Sequence, residues 1–424
     1  MKKQQVKLYK LYLVIVFSFI GSASWAQESL RHSQAGREYS EARLVIPKSR
    51  YNIKLGELLV NLQSRLRLEY DDNIYLREIN RIDDFIIHPE LKIMTYYPIT
   101  RLNALRLDVT AGYRKYLENG EADSGFVNIM PSSALNFDVF IGDMRLNIHD
   151  FFGFASVPVS AVNRDISGYS KANFGRFINR LGLFGIWDLN DMWFTFGGDW
   201  ILYRAMFDGE DIFDYTDNDQ YTAFARLGFN ITPTFNAGLE ATATWTDFKG
   251  DFNNDSFNYS FGPFFNLQLS DYFAIRGEGG VTGYEFDTGA RNRDFNDTLI
   301  DWYMKLTFEH EVNQYLTHTL QLGREIAIGY DTNYYKQYFA RAEQTWKIIK
   351  DLSIGTNQFV EWADPSDGPF AEESLRWGAG IHFGYQLTKQ DNLKWGYEYL
   401  EKDSKLFLRD YYRHLVFIEW LHRF

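Results

Sequence analysis

Polar side chains, several of them charged, recur at every second position in several long segments of the chain. In "IDWYMKLTFEHEV" (300–312), Asp301, Lys305 and Glu309 alternate with apolar residues, and in "YTAFARLGFNI" (221–231) Arg226 occupies the polar side of the same alternation. Successive side chains of a β-strand point to opposite faces, so each segment carries its charges on one face. A wall of such faces around water selects ions or orients hydrophilic solutes.

This alternation assigns a set of charged residues to one inner wall. Facing arginine and carboxylate groups also brace a wall when they pair across strands, and the sequence favours neither bracing nor solute selection. Their mixed signs predict no preference for anions or cations. The candidates are Arg65, Arg67, Glu69, Glu90, Arg106, Asp108, Arg176, Arg180, Asp199, Arg226, Glu240, Arg276, Glu278, Asp301, Arg341, Glu343 and Arg376.

Patterns that would indicate catalysis are weak. The chain has eight histidines and no cysteine, which excludes a disulfide framework and a thiol nucleophile. His149 and Asp150 are adjacent, but neighbours on a strand point to opposite faces, so they form no dyad. Neither G-x-S-x-G nor H-E-x-x-H occurs. We therefore predict a protein without catalytic residues, cofactor or metal site; an enzyme would require a serine and a histidine brought together across strands.

Acidic residues gather between the alternating segments. Carboxylate oxygens bind Ca²⁺, but no segment matches the spacing of an EF-hand loop. We predict solvated acidic loops, with divalent bridging to lipid phosphates as the alternative. The residues are Asp71, Asp72, Asp83, Asp84, Asp208, Asp211, Asp214, Asp217, Asp219, Asp251 and Asp255.

The length of the alternating segments indicates a membrane protein. Strands of soluble sandwiches average about 5 or 6 residues, whereas a strand that crosses a bilayer needs about 9 to 11. "LRWGAGIHFGYQLT" (375–388) alternates over its whole length. The chain also holds 11 Trp, 28 Tyr and 36 Phe, many more aromatic residues than disordered chains contain. We predict an all-β fold, a transmembrane antiparallel up-and-down β-barrel.

Connecting segments set the number of strands. Eight short polar turns are expected to alternate with nine longer loops, which joins 18 strands, with 16 as the lower limit. Short turns face the periplasm in outer-membrane barrels. The turns begin at "PITR" (98–101), "IGDM" (141–144), "LNDM" (189–192), "ITPT" (231–234), "LSDY" (269–272), "VNQY" (312–315), "IIKD" (348–351) and "TKQD" (388–391).

Aromatic residues near these turns predict a girdle at the lipid headgroups, where rings with a polar tip are favoured. They are Tyr96, Tyr97, Trp187, Trp193, Tyr272, Phe273, Trp346 and Trp395.

The first 26 residues have the features of a cleaved signal peptide. Four lysines precede the apolar stretch "LYLVIVFSFIGS", and Ser24 and Ala26 occupy the positions that a signal peptidase reads. Cleavage changes the formal net charge from −12 to −16, which disfavours nucleic acid as a partner. We predict export to the Gram-negative outer membrane, residues 27–56 as a periplasmic extension or partial plug, and residues 57–424 as the barrel.

The chain ends on "HLVFIEWLHRF". Val416, Ile418, Trp420 and Phe424 are expected to face lipid, whereas Leu415, Phe417 and Leu421 do not fit the polar face of the same strand. Outer-membrane barrels commonly end in such a strand, and Trp420 with the terminal Phe424 resembles what the barrel assembly machinery recognises.

Residues 52–91 resemble the opening of β-barrel porin families of Gram-negative bacteria, some of which accompany exopolysaccharide export. The first strand ends in Asp71, Asp72, Asn73, Ile74 and Tyr75, and Asp84, Phe85, Ile86 and Pro89 open the second. The resemblance implies a passive channel for small hydrophilic solutes, or alternatively a polysaccharide-exit barrel, and carries over no catalytic residues. Outer-membrane lipid and lipopolysaccharide are the expected surroundings, and the sequence is compatible with a homo-oligomer.

Overall fold

The computed structural model describes residues 51–100, 102–158, 173–206, 216–329, 332–369 and 371–424. The predicted signal peptide, most of the predicted extension, and Asp208, Asp211 and Asp214 lie outside the described residues. Within the described ranges, no helix is long and apolar enough to cross a membrane.

The described residues form strands that belong to one antiparallel sheet. In chain order the strands are β1 (Ile53–Leu55), β2 (Leu58–Asp71), β3 (Asp84–Pro98), β4 (Ala104–Gly112), β5 (Lys115–Tyr116), β6 (Asn128–Ile141), β7 (Met144–Pro158), β8 (Asn173–Asp188), β9 (Met192–Met206), β10 (Asn218–Thr232), β11 (Phe235–Phe248), β12 (Ser256–Ser270), β13 (Phe273–Phe286), β14 (Thr298–Asn313), β15 (Leu316–Ile328), β16 (Tyr334–Ile349), β17 (Leu352–Pro365), β18 (Ser374–Gln386), β19 (Asp391–Ser404) and β20 (Tyr411–Arg423).

The sheet closes on itself. Each long strand pairs with its sequence neighbours, and the last, β20, pairs with β2 from Gln63↔Arg423 to Asp71↔Leu415. Apart from the short β1 and β5, 18 strands form the wall, so the predicted 18-stranded antiparallel barrel is confirmed. Closure gives every long strand a neighbour on each side, which is what a β-structure in lipid requires.

The predicted connectors are also present. The eight short turns join strands at one end of the barrel, and the opposite strand ends form the loop end, where the described loops include 72–83, 249–255 and 287–297. Gly142 and Asn190 at two of the turns have φ of +57° and +70°. Glycine and asparagine tolerate this left-handed region better than other residues, which explains their place in these turns.

The two faces of the wall differ in chemistry. On β14, the outward Ile300, Trp302 and Met304 are 75%, 48% and 39% exposed, whereas Tyr303 and Lys305 on the opposite face are buried. The same arrangement of exposed apolar and buried polar side chains holds on β8, where Leu181 and Leu183 are exposed and Arg176 is buried. An apolar exterior and a polar interior are the arrangement of a barrel immersed in lipid.

Aromatic rings form rows near both ends of the outer surface. Trp200, Tyr221 and Trp245 are exposed neighbours in register toward the loop end, and the first two rings stack with centroids 6.3 Å apart. Trp187, Tyr272 and Trp346 are exposed near the short turns.

The expectation that Trp193 belongs to the girdle is wrong, because its side chain faces the lumen. It pairs with Gly228 on the face that carries Arg226, and its ring lies 5.5 Å from Phe264. Gly228 leaves room for the indole, since a Cβ there would lie 2.3 Å from it. Trp193 faces inward because it has the same parity on β9 as the buried Thr195 and Asp199.

Candidate functional site

The inner wall of the barrel is the candidate site, because the strand register brings the charged residues together there. Every predicted inner-wall residue has the parity of this face. Examples are Arg65 opposite Glu90, Arg226 opposite Glu240 and Glu278 opposite Lys305.

The closing pair of strands, β2 and β20, carries the first charge cluster. The Arg65 guanidinium donates to Glu90 at 2.8 Å and to Glu419 at 3.1 Å, and Arg67 lies 3.6 Å from Glu419 and also pairs with Glu69. Arg67 also stacks over the Phe417 ring at 3.9 Å. Thus Phe417, which did not fit the alternation, faces inward and supports an arginine.

A second cluster lies on β4, β6 and β7. Asp138 accepts from Arg106 at 2.7 Å, from Arg145 at 2.8 Å and from the Asn147 amide at 2.9 Å. Among these residues only Arg106 was singled out from the sequence. The turn inside "DVFIGDMRLN" (138–147) hides the alternation of this segment, so Asp138 and Arg145 were missed.

His149 on β7 contacts Asp199 on β9 across β8, the strand that lies between them. His149 Nε2 lies 2.7 Å from Asp199, which also accepts from Arg180 at 2.9 Å. Between them on β8 is Gly182, where a Cβ would lie 2.0 Å from the Asp199 carboxylate and 2.4 Å from the His149 ring. The absent side chain makes the contact possible, so the partner of His149 is not its sequence neighbour Asp150.

The wall from β9 to β14 combines looser pairs with aromatic support. Arg226 lies 3.7 Å from Glu240 and stacks at 3.6 Å over Phe264, and the Tyr303 hydroxyl donates to Glu240 at 3.5 Å. Nearer the short turns, Arg276 donates to Glu309 at 2.9 Å. Glu278 and Lys305 are 3.8 Å apart.

A third tight cluster lies on β16 to β19. Glu361 accepts from Arg341 at 2.7 Å and from Arg376 at 2.5 Å. Near the loop end, Lys402 pairs with Glu372 at 2.7 Å, and both side chains are at most 1% exposed. Glu361, Glu372 and Lys402 were not singled out from the sequence, because a partner on a neighbouring strand or loop leaves no local pattern.

These contacts favour bracing for most of the candidates. Removing one member of a buried pair leaves an uncompensated charge, so such pairs hold strands in place more than they attract solutes. Arg176 stacks over Tyr203 at 4.6 Å. Within the described residues, the structure gives Asp108 and Glu343 no ion-pair partner. Their carboxylates are the candidates available to a solute.

The acidic residues near the loop end are not uniformly solvated, which corrects the sequence-based expectation. Asp71, Asp84 and Asp219 are buried. Asp84 accepts from the backbone N–H groups of Leu117 and Asn119 at 3.0 and 2.8 Å. Within the described residues, no three His, Asp or Glu side chains are placed to hold a metal ion together.

Asp294, in the loop 287–297, joins several loops. It accepts from the Thr332 hydroxyl at 2.9 Å, from the Asn333 N–H at 2.8 Å and from the Ser366 hydroxyl. Burial alone would raise the pKa of Asp294, but these bonds and those from Asn296 outweigh it and hold the pKa below its ordinary value. The carboxylate therefore stays charged and keeps three loops together.

Solved structures of similar fold include a BenF-like porin from Pseudomonas fluorescens Pf-5, with a TM-score of 0.51 and 10% identity over 87% of this chain and 100% of that one. OccK5 (OpdH) of Pseudomonas aeruginosa has a TM-score of 0.49 and 11% identity over 87% and 99% of the two chains. OpdK of the same organism, solved with vanillate, has a TM-score of 0.49 and 10% identity over 86% and 99%. No protein-family model matches the chain, and no curated protein sequence is similar to it. The likeness to the BenF-like porin shows that the chain has the fold of an 18-stranded porin-type barrel.

Proposed function

We propose that the protein is an outer-membrane channel through which hydrophilic solutes pass passively. The observation that carries this proposal is the closed barrel with an apolar outer surface and a charged inner wall. An 18-stranded barrel is too wide for facing side chains alone to fill, so water and small solutes have room inside it. The fold shared with porins supports the same function.

The location follows from the same proposal. Residues 1–26 direct export and are removed, and residues 27–56 lie on the periplasmic side. The short turns then face the periplasm, and lipid with lipopolysaccharide surrounds the apolar belt. The barrel assembly machinery recognises the last strand, with Trp420 and Phe424 exposed on the outer surface at its end. Self-association into a homo-oligomer would use this same lipid-facing surface.

Conductance of the purified barrel in planar bilayers tests the proposal. We expect discrete ion-conducting steps, and the double variant Asp108→Asn/Glu343→Gln should shift the permeability ratio toward anions because two inner carboxylates become neutral. Asp271→Asn, an exposed acid in a short turn, is the matched control and should leave the ratio unchanged. A folded barrel that gives no conductance above the lipid background would overturn the proposal.

A polysaccharide-exit barrel is the alternative implied by the resemblance at residues 52–91. In the structure, the residues that carry the resemblance organise the first loop. The fully buried Asn73 donates to the carbonyls of Arg77 and Tyr412, both at 2.9 Å, and Asp84 binds the backbone near Asn119. These contacts explain the motif without a polymer. Loss of an extracellular polysaccharide on gene deletion, with unchanged uptake of small solutes, would favour the alternative.

A further inference from the structure

The wall is not hydrogen-bonded over its full height between β14 and β15. Pairing runs from Asn313↔Leu316 to Met304↔Arg324 and stops, although β14 continues to Thr298 and β15 to Ile328. Both strands keep their other neighbours over this stretch, since β13 pairs with β14 to Thr298 and β15 pairs with β16 to Ile328. We call residues 298–303 and 325–328 the β14–β15 seam.

The end of β15 at this seam lies inside the end of β14. On β13, Tyr284 is on the inner face, and its hydroxyl donates to the Ile326 carbonyl at 3.2 Å. Ile326 has the outward parity of Leu320 and Leu322 further down β15. An outward side chain on β15 meets the inner face of β13 only if β15 has moved toward the lumen. The seam is therefore an offset between two strands as well as a row of missing hydrogen bonds.

Apolar surface lies on both sides of the seam. Inside, Ile326 and Ile328 form a buried cluster with Phe248, Tyr284, Phe286 and Tyr334, and Leu299 packs against it. Outside, Ile300 and Trp302 are exposed on β14. The apolar residues on the two sides of the seam contrast with the ion pairs that cover much of the inner wall elsewhere.

Two cations meet one carboxylate at the same place. Arg324 donates to Asp301 at 2.6 Å and to the Trp302 carbonyl, and Lys336 lies 3.6 Å from Asp301. The Arg324 guanidinium is held between the Trp302 and Tyr338 rings, at 4.4 and 5.3 Å. On the outer side of the seam, Arg324 and Lys336 thus carry two positive charges against the single carboxylate of Asp301. Glu325, the other acid of the seam, has the inward parity and lies near Tyr284.

The height of the seam suits a lipid interface. From Asn313 to Met304 the paired part of β14 rises about 25 Å for a strand tilted by about 40°, which matches the apolar band of an outer-membrane barrel. The seam consequently begins near the headgroups at the loop end. Unpaired backbone groups are tolerated there, because water and headgroups can satisfy them.

We infer that the β14–β15 seam is a lateral port for single-chain amphiphiles with an anionic head, such as a fatty-acid carboxylate. Arg324 and Lys336 hold the head group, and the cluster around Tyr284 and Ile328 takes the apolar chain as it passes between the lumen and the outer leaflet. This inference rests on the proposed function only in requiring that the barrel spans the membrane.

Photolabelling of the full barrel in proteoliposomes tests the port, with a 12-carbon carboxylate that carries a diazirine at the end of its chain. We expect labels on both sides of the seam, at Ile300 or Trp302 outside and at Tyr284 or Ile328 inside. Asp301→Asn removes the competing carboxylate and should raise labelling, and Lys336→Gln should lower it, each by up to about fivefold, the equivalent of one partly exposed charge pair. Glu309→Gln, on the same face of β14 at its other end, is the matched control.

Two results would overturn the port. Labels on the outer residues alone would indicate a lipid held against the wall, and labels spread evenly over the barrel exterior would indicate no site. Small-ion conductance measured on the same preparation separates this inference from the proposed function. Intact conductance without labelling inside the seam defeats only the port, whereas a barrel that does not conduct defeats the channel.

Discussion

Two strand-to-strand junctions of the barrel, the closing seam and the β14–β15 seam, differ in how their strands are held together. The closing seam joins β2 to β20, the first and last long strands, and no turn links them. It is paired up to Asp71↔Leu415, is extended by bonds between Asp72 and His414, and ends where the Phe424 N–H donates to the Leu62 carbonyl at 3.1 Å. The β14–β15 seam joins two strands linked by a short turn, and it is unpaired at the loop end.

This difference shows where a barrel needs side-chain interactions to hold two strands together. A turn holds β14 and β15 together at one end at little entropic cost, so losing hydrogen bonds at the other end leaves the barrel closed. The closing seam depends on interactions between residues more than 340 positions apart, such as Arg65 and Glu419. Its ion pairs and the stacking of Arg67 on Phe417 replace the missing covalent link.

Hydrogen exchange of the barrel in detergent should give the largest contrast. The amides of residues 298–303 that point toward β15 lack a wall partner, so we expect them to exchange about a hundredfold faster than the amides of residues 63–71 that point toward β20. Equal protection at the two seams would show that β14 and β15 pair fully in solution.

Glu419→Ala should weaken the closing seam. The substitution removes one carboxylate shared by Arg65 and Arg67, and charged hydrogen bonds of this kind contribute about 1.5–3 kcal/mol each. We expect the free energy of unfolding in urea to fall by about 2 kcal/mol, whereas Glu309→Ala, whose pair with Arg276 is partly exposed, should cost at most about 1 kcal/mol. Equal losses would contradict a special role for the closing seam.

Deletion of Phe424, at the end of the closing seam, should distinguish an effect on barrel assembly in cells from an effect on the stability of the folded barrel. The residue is half exposed and contributes one backbone bond at the end of the wall, so refolding in detergent should be nearly unchanged. If the terminal Phe is read by the assembly machinery, the heat-modifiable barrel should drop several-fold in cells. Wild-type abundance in cells would count against an assembly signal.

Acid should loosen the loop end near the β14–β15 seam, the smallest effect expected. Because the pKa of Asp294 is lowered on folding from its unfolded value of 3.8, its stabilising contribution is complete above that value and is lost as the pH falls through the lower folded-state pKa. Protease cleavage within loop 287–297 should therefore increase in that acid range. Asp294→Asn should be cleaved readily at neutral pH already and should show little further change.

Local patterns made much of the fold predictable. Turn-forming residues such as Gly142 and Asn190 placed the short turns, and the two-residue period assigned Arg226 and Lys305 to the inner face, since both signals depend only on neighbours in the chain. The girdle assignment of Trp193 was wrong, although the same period that puts Asp199 on the inner face also puts Trp193 there. His149 forms no dyad with Asp150, as expected, but its contact with Asp199 across Gly182 leaves no local signal in the sequence.

By itself, the sequence determined a long-stranded antiparallel barrel, its eighteen strands, and which face of each strand is charged. Only the tertiary structure decided which charges neutralise one another, because partners such as Arg376 and Glu361 or Lys402 and Glu372 lie on different strands or loops. The tertiary structure also decided that the closing seam is held by side-chain interactions and that the β14–β15 seam is unpaired at the loop end. Hydrogen bonding between strands is set by register and tilt over the whole closed wall, and no short segment encodes where that wall separates.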